Sequence, residues 1–130
     1  MVPLAIKLLQ WGKKIRLHDA GDPIRNWLHA SDTAAAVIKI IEQGSVNEIY
    51  NVAGGFEQKN KDTVKTIIKE YFGTDENWEN YVDLGHTRRG QDVRYSLDDT
   101  KLQSLGWKPE KFFDLEIKKI VQFYKKRFYW

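Results

Sequence analysis

The chain has 130 residues, a net charge of +3 and no cysteine, with 42% hydrophobic and 30% charged residues. This length suits one domain with a real core and is short for a two-domain enzyme, and without thiols neither a disulfide scaffold nor a thiolate metal site can form. No apolar run nears the ~18–20 residues of a bilayer span, and the lysines are interleaved with acids, as in Lys61-Asp62 and Asp99–Lys101, which argues against membrane and nucleic-acid partners.

Residues 3–11 are expected as a helix, with Leu4, Leu8, Leu9 and Trp11 on one face and Gly12 as its stop. Ile15 to His18 is a short strand and Asp19 to Pro23 a turn, which leaves Arg25 in a turn ahead of the next helix. Ser31 or Asp32 can cap that helix, 33–43, because a side-chain oxygen there accepts the free N–H groups of the first turn. Ala34, Val37, Ile38 and Ile41 are its expected buried stripe, and Gly44 ends it. Glu48 to Ala53 reads as a strand, followed by the pair Gly54-Gly55. Residues 62–72 form a second amphipathic helix, with Val64, Ile67, Ile68, Tyr71 and Phe72 inward and Gly73 at its end. Short strands are expected at 81–84 and 93–97, separated by the loop HTRRGQD (86–92). Asp98 caps a short helix over 99–105, 107–109 turn, and a last helix spans 114–126 with Phe113, Ile117, Ile120, Val121 and Tyr124 on one face. Helices alternate with strands too short and too few for a complete doubly wound sheet.

Two arginine clusters could carry chemistry. Arg25, flanked by Asn26, Trp27 and His29, is placed to clamp a phosphate through its planar fork of donors. Arg88, Arg89 and Arg94 form the second, in a loop where Gly90 lets backbone approach a ligand closely. Two such sites would suit a diphosphate, although each arginine would serve equally as a solvated or salt-bridged surface residue. His18, His29 and His86 are too dispersed for a metal site. Trp27 and Trp107 are expected in the core, and Phe128-Tyr129-Trp130 forms an apolar terminal cluster able to pack on the domain or on a second copy.

Four segments, IRNWLHASDTAAAV (24–37), EIYNVAGGFEQKN (48–60), RRGQDVRYSLDDTKL (88–102) and LGWKPE (105–110), resemble in the same order the nucleotide-sugar 4,6-dehydratases of the extended short-chain dehydrogenase/reductase family, nearest to its dTDP-glucose branch. The resemblance covers nearly the whole chain. It implies an α/β fold corresponding to the C-terminal, substrate-binding part of a Rossmann-like enzyme, with Met1 inside a helix of the parent fold. It also implies that Arg25 and Arg88 bind the diphosphate and Asn60 the nucleotide portion of a dTDP-hexose. Three positions depart from the family's Asp-Arg-Pro-Gly-His-Asp loop. Thr87 replaces the acid, Arg89 the proline, and Gln91 a histidine that helps hold the nucleotide.

The machinery for hydride transfer is not visible in this sequence. A dinucleotide loop needs glycines between a strand and a helix N-terminus, where N–H groups hold the pyrophosphate, and Gly54-Gly55 lacks a third glycine at that spacing. The family's Tyr-x-x-x-Lys pair is missing too, since none of the six tyrosines has a lysine four residues on, and Asp75-Glu76 lies in a polar loop. No cofactor is therefore expected on this chain, while NAD is implied for the full-length family. The expected partners are a dTDP-hexose, a separate NAD-binding domain or a second copy of the chain; the expected location is the cytoplasm. The reading of a different class is a non-enzymatic interaction or regulatory module that kept the fold without the ligand.

Overall fold

The computed structural model describes residues 1–127; the terminal apolar cluster lies outside them. Helix α1 (Val2–Gln10) leads to strand β1 (Ile15–His18), then to β2 (Ile24–Trp27), α2 (Ala30–Gln43), β3 (Phe56–Lys59), α3 (Asn60–Phe72), β4 (Val82–His86), the short α4 (Thr100–Gln103) and α5 (Phe113–Lys126). The strands form two separate pairs. β1 runs parallel to β4, with Ile15 opposite Val82 and His18 opposite His86. β2 runs antiparallel to β3, with Ile24 opposite Lys59 and Trp27 opposite Phe56.

The main core lies where α1, α3 and α5 pack beside the β1–β4 pair. Ile6, Val64, Ile67, Ile68 and Val121 are fully enclosed there, with Ile15, Leu17, Val82 and Ile117 around them. The face of α1 differs from expectation. Val2, Ala5, Ile6 and Leu9 are buried at i, i+3, i+4 and i+7, whereas Leu4 and Trp11 are 60% and 56% exposed. Position on the helix outranks side-chain size, so Ala5 is enclosed while Trp11 is not. Phe72 likewise leaves the core and stacks on Tyr81, ring centroids 4.7 Å apart.

A second, smaller core of Ala36, Leu102 and Trp107 joins α2 to α4. Only Asp32 and Ala36 of α2 are buried, and the expected stripe points outward, with Ile38 56% and Ile41 78% exposed. His29, not Ser31 or Asp32, caps α2: its ring nitrogen accepts the Ser31 N–H at 3.2 Å. Asp32 is instead drawn inward, its carboxylate accepting the Lys111 N–H and its carbonyl the Trp107 indole N–H, which pins the approach to α5.

The segment 48–53 is extended but is not a strand. Tyr50 and Val52 pack on the second core while Ile49 is 84% exposed. No strand among the described residues lies beside it, and a ladder needs a partner. Side chains hold it instead, with Asn51 donating to the Asp98 carbonyl and Lys101 to that of Ile49. Residues 93–97 do meet a strand, but only at one point: the pairing with β2 is limited to a single parallel bridge from Arg94 to Ile24, too short for a ladder.

Asp98 secures the start of α4, its carboxylate accepting both the N–H and the hydroxyl of Thr100. These two bonds hold Asp98 below the ordinary carboxylate value of 3.8. A depressed folded-state value means that the contribution is present above about pH 4 and is lost as pH falls through the lower value. Asp98→Ala should therefore lower the thermal midpoint at pH 7, and the gap from the parent chain should close in acid.

Candidate functional site

Arg25 lies in β2, not in a turn. Its neighbours fix it there: Ile24 and Asn26 pair across β3 with Lys59 and Glu57. On the other edge of β2, the Ile24 N–H donates to the Val93 carbonyl at 2.7 Å and its carbonyl accepts the Tyr95 N–H at 3.3 Å. The second arginine loop is thereby sewn to the strand that carries the first.

The half-buried Arg25 side chain completes that junction. Its Nη1 donates to the Ile24 carbonyl at 2.7 Å and to the Asp92 carbonyl at 3.2 Å, and its guanidinium lies 4.2 Å from the centre of the Tyr95 ring. The nearby Asp92 carboxylate raises the Tyr95 hydroxyl above the usual phenol range, while the positive charges of Arg25 and Arg88 pull it back. The bond from Arg25 to the Asp92 carbonyl ties the first arginine to the loop that carries the second.

Around them the other cations are neutralised. Arg94 makes a two-pronged ion pair with Glu57, closest approach 2.7 Å, and Lys59 and Lys61 share Asp22 at 3.0 and 2.9 Å. Both lysines lower the Asp22 carboxyl, chiefly through the hydrogen bond from Lys61. Arg25, Arg88 and Arg89 have no salt bridge among the described residues. Unpaired guanidiniums beside a paired surround are what an anion would meet.

Arg88, Gly90 and Gln91 line one open pocket with Asp19, Asp22, Pro23 and Val93. Gly90 has a φ of +75°, so the loop turns there at a conformation glycine adopts without strain. Asn60 opens α3, and its N–H donates to the carbonyl of Pro23, a wall of that pocket. Arg89 is exposed and does not line it. Of the five expected residues, Arg88 and Gln91 thus share a pocket, Asn60 borders it, Arg25 is linked to its loop, and Arg89 stands outside.

Tyr95 and Asp92 were absent from the expected set. The aromatic two residues beyond Val93 in RRGQDVRY carried the only signal for them, and its meaning depends on the Ile24–Arg94 bridge. An apolar cleft of about 220 Å³ also went unforeseen. Trp27, Phe56 and Phe113 line it with Lys111 and Glu116, and it shares no residue with the arginine pocket. The Trp27 indole N–H is buried without a partner among the described residues.

Gly54-Gly55 does not form a dinucleotide loop. A Cβ on Gly54 would overlap the Trp27 carbonyl oxygen and lie 2.6 Å from its carbon, so protein backbone, not ligand, claims that space. Its N–H donates to the Asn26 side chain at 2.6 Å, and β3 follows instead of a helix. These residues do not fit NAD. No group of three or more potential ligands for a metal occurs among the described residues, and no helix there is long and apolar enough to cross a membrane.

The family model for GDP-mannose 4,6 dehydratase matches residues 1–120. The chain belongs to that family. Within it, the dTDP-glucose 4,6-dehydratase 1 of Escherichia coli K12 is 34% identical across 100% of this chain and 37% of its own length. The Mus musculus dTDP-D-glucose 4,6-dehydratase is 34% identical over 99% of the chain and 37% of its own length. The chain thus spans a little over a third of the curated relatives it matches. Two solved family members superpose with a TM-score of 0.85 at 29% identity. The Bacillus anthracis dTDP-glucose 4,6-dehydratase in complex with NAD covers 98% of this chain with 39% of its own. The Streptomyces venezuelae enzyme, with NAD and TYD bound, covers 96% with 38%. The α/β fold of this extended short-chain dehydrogenase/reductase family member is accordingly shared with those enzymes over a portion of their length.

Proposed function

We propose that residues 1–130 form a single substrate domain of a dTDP-glucose 4,6-dehydratase-like enzyme, binding the nucleotide-sugar. Arg25 and Arg88 neutralise the diphosphate, Asn60 positions the nucleotide, and Gln91 stands where it can touch the base or ribose. Arg89, on the rim, adds long-range attraction. The observation that carries this reading is that Arg25 and Arg88, both without a carboxylate partner among the described residues, lie on segments tied together by the hydrogen bond from Arg25 to the Asp92 carbonyl. A guanidinium pair in that state offers planar, fixed-charge donors to a pyrophosphate.

In the relatives' reaction, as the family implies it, NAD takes a hydride from the sugar, water is eliminated and the hydride returns. The residues described above bind and orient; the redox step lies outside them. The exposed apolar residues Val37, Ile38 and Ile41 of α2, with Val46 and Ile49 after it, suit contact with a dinucleotide-binding half or with a second copy, because exposed apolar area gains from being covered. Calorimetric titration of the chain with dTDP, alongside inorganic phosphate, tests the reading. It predicts that dTDP binds at least 10-fold more tightly. Equal affinities would remove the nucleotide site and favour a non-enzymatic interaction module built around these exposed apolar residues.

A further inference from the structure

Arg25 has more holding it in place than a solvent-facing arginine requires. Its Nη1 is fixed by two main-chain carbonyls, those of Ile24 and Asp92, and its guanidinium carbon lies over the Tyr95 ring, 4.2 Å from the ring centre. Tyr95 is in turn tied to β2, its N–H donating to the Ile24 carbonyl. The ring is 53% exposed, so it contributes little to the core and stays on the surface as a platform.

We infer that Tyr95 is a positioning residue, its ring fixing the plane of the Arg25 guanidinium so that the edge not held by carbonyls faces the anion. The inference rests on the nucleotide-diphosphate reading above. An arginine side chain loses much rotamer freedom when it is ordered, and a ring that restricts it before binding lowers what the ligand must overcome to order it. The same contact joins the two cationic segments, since Arg25 lies over the Tyr95 ring and donates to the Asp92 carbonyl in the loop of Arg88. Arg94, by contrast, is committed to Glu57 and takes no part in binding.

The test is a binding cycle on the full chain, with dTDP as the probe. Tyr95→Leu removes the ring face and should weaken dTDP about 3- to 5-fold, the range expected of an exposed cation–π contact. Tyr95→Phe keeps the face and should stay within about 2-fold of the parent chain. In an Arg25→Ala background, Tyr95→Leu should have no further effect, which a merely structural role would not produce. Thermal midpoints of both Tyr95 variants should match the parent, as expected for a half-exposed ring. An equal loss from Tyr95→Leu with and without Arg25, or Tyr95→Phe as weak as Tyr95→Leu, would overturn the inference while leaving the ligand site intact. Arg25→Ala without effect on dTDP would instead refute the ligand reading, and the positioning role with it.

Discussion

Gly54→Ala should destabilise the domain by about 3 kcal/mol or more, the upper range for forcing an extra methyl group into a filled site. The obstacle is main chain. The new Cβ would overlap the Trp27 carbonyl and sit 3.0 Å from the Leu28 Cα, at the point where β2 ends and the chain turns toward α2. No rotamer can relieve that overlap, so the backbone must move. Movement would also strain the 2.6 Å bond from the Gly54 N–H to Asn26, next to Arg25. A fall in melting temperature of roughly 10 °C is expected for a domain of this size. Gly55→Ala is the useful companion. Gly55 has open space around it but a φ of +68°, so the cost there is conformational, about 1 kcal/mol. Differential scanning calorimetry of the two variants checks both the size and the order of the effects.

The second large effect concerns the anion. Arg25→Ala and Arg88→Ala should each weaken dTDP by about 10- to 100-fold, matching the ~1.5–3 kcal/mol of a hydrogen bond to a charged group. Arg89→Ala should cost less than about 3-fold, because an exposed charge on the rim is screened by salt. Arg94→Ala is an internal control of a different kind. It frees Glu57 next to β2, so any loss it causes should come with lower stability, whereas Arg88→Ala should leave stability unchanged. Lysine at position 25 should recover only part of the loss, since a point charge cannot reproduce the planar fork.

Much of this arrangement was legible in the residues. The helices α3 and α5 follow their apolar spacing, with Val64, Ile67, Ile68, Ile117 and Val121 buried as expected. β1 and the left-handed Gly73 after α3 were equally plain. What failed was anything decided between segments. EIYNVA has the alternation of a strand, and Tyr50 and Val52 do point inward, yet a strand exists only where another lies beside it. Conversely β3, FEQK, carries no apolar alternation and forms because Arg25 and Asn26 in β2 offer it a ladder. The apolar stripe of α2 lies outward, because an amphipathic stripe states that a surface is to be covered, not by what.

The site divides the same way. Arg25, Asn60, Arg88 and Gln91 could be picked out by residue type and by resemblance, since a turn rich in arginine and glycine narrows the chemistry. Tyr95 could not. Its role depends on the bridge that lays residues 93–95 along β2, a contact between positions about 70 apart in sequence that no local pattern encodes. Asp22 shows the converse. It looks like an acid misplaced in a phosphate pocket until Lys59 and Lys61 are seen to neutralise it.

The central claim is that Arg25 and Arg88 share one pyrophosphate. A double-mutant cycle by isothermal titration, with Arg25→Ala, Arg88→Ala and the double variant against dTDP, measures that sharing directly. Two arginines on one anion should couple by at least about 0.5 kcal/mol, so the double variant departs from the sum of the singles, and the coupling should vanish with thymidine, which has no phosphate. Additive losses, or the same coupling with thymidine, would contradict the account.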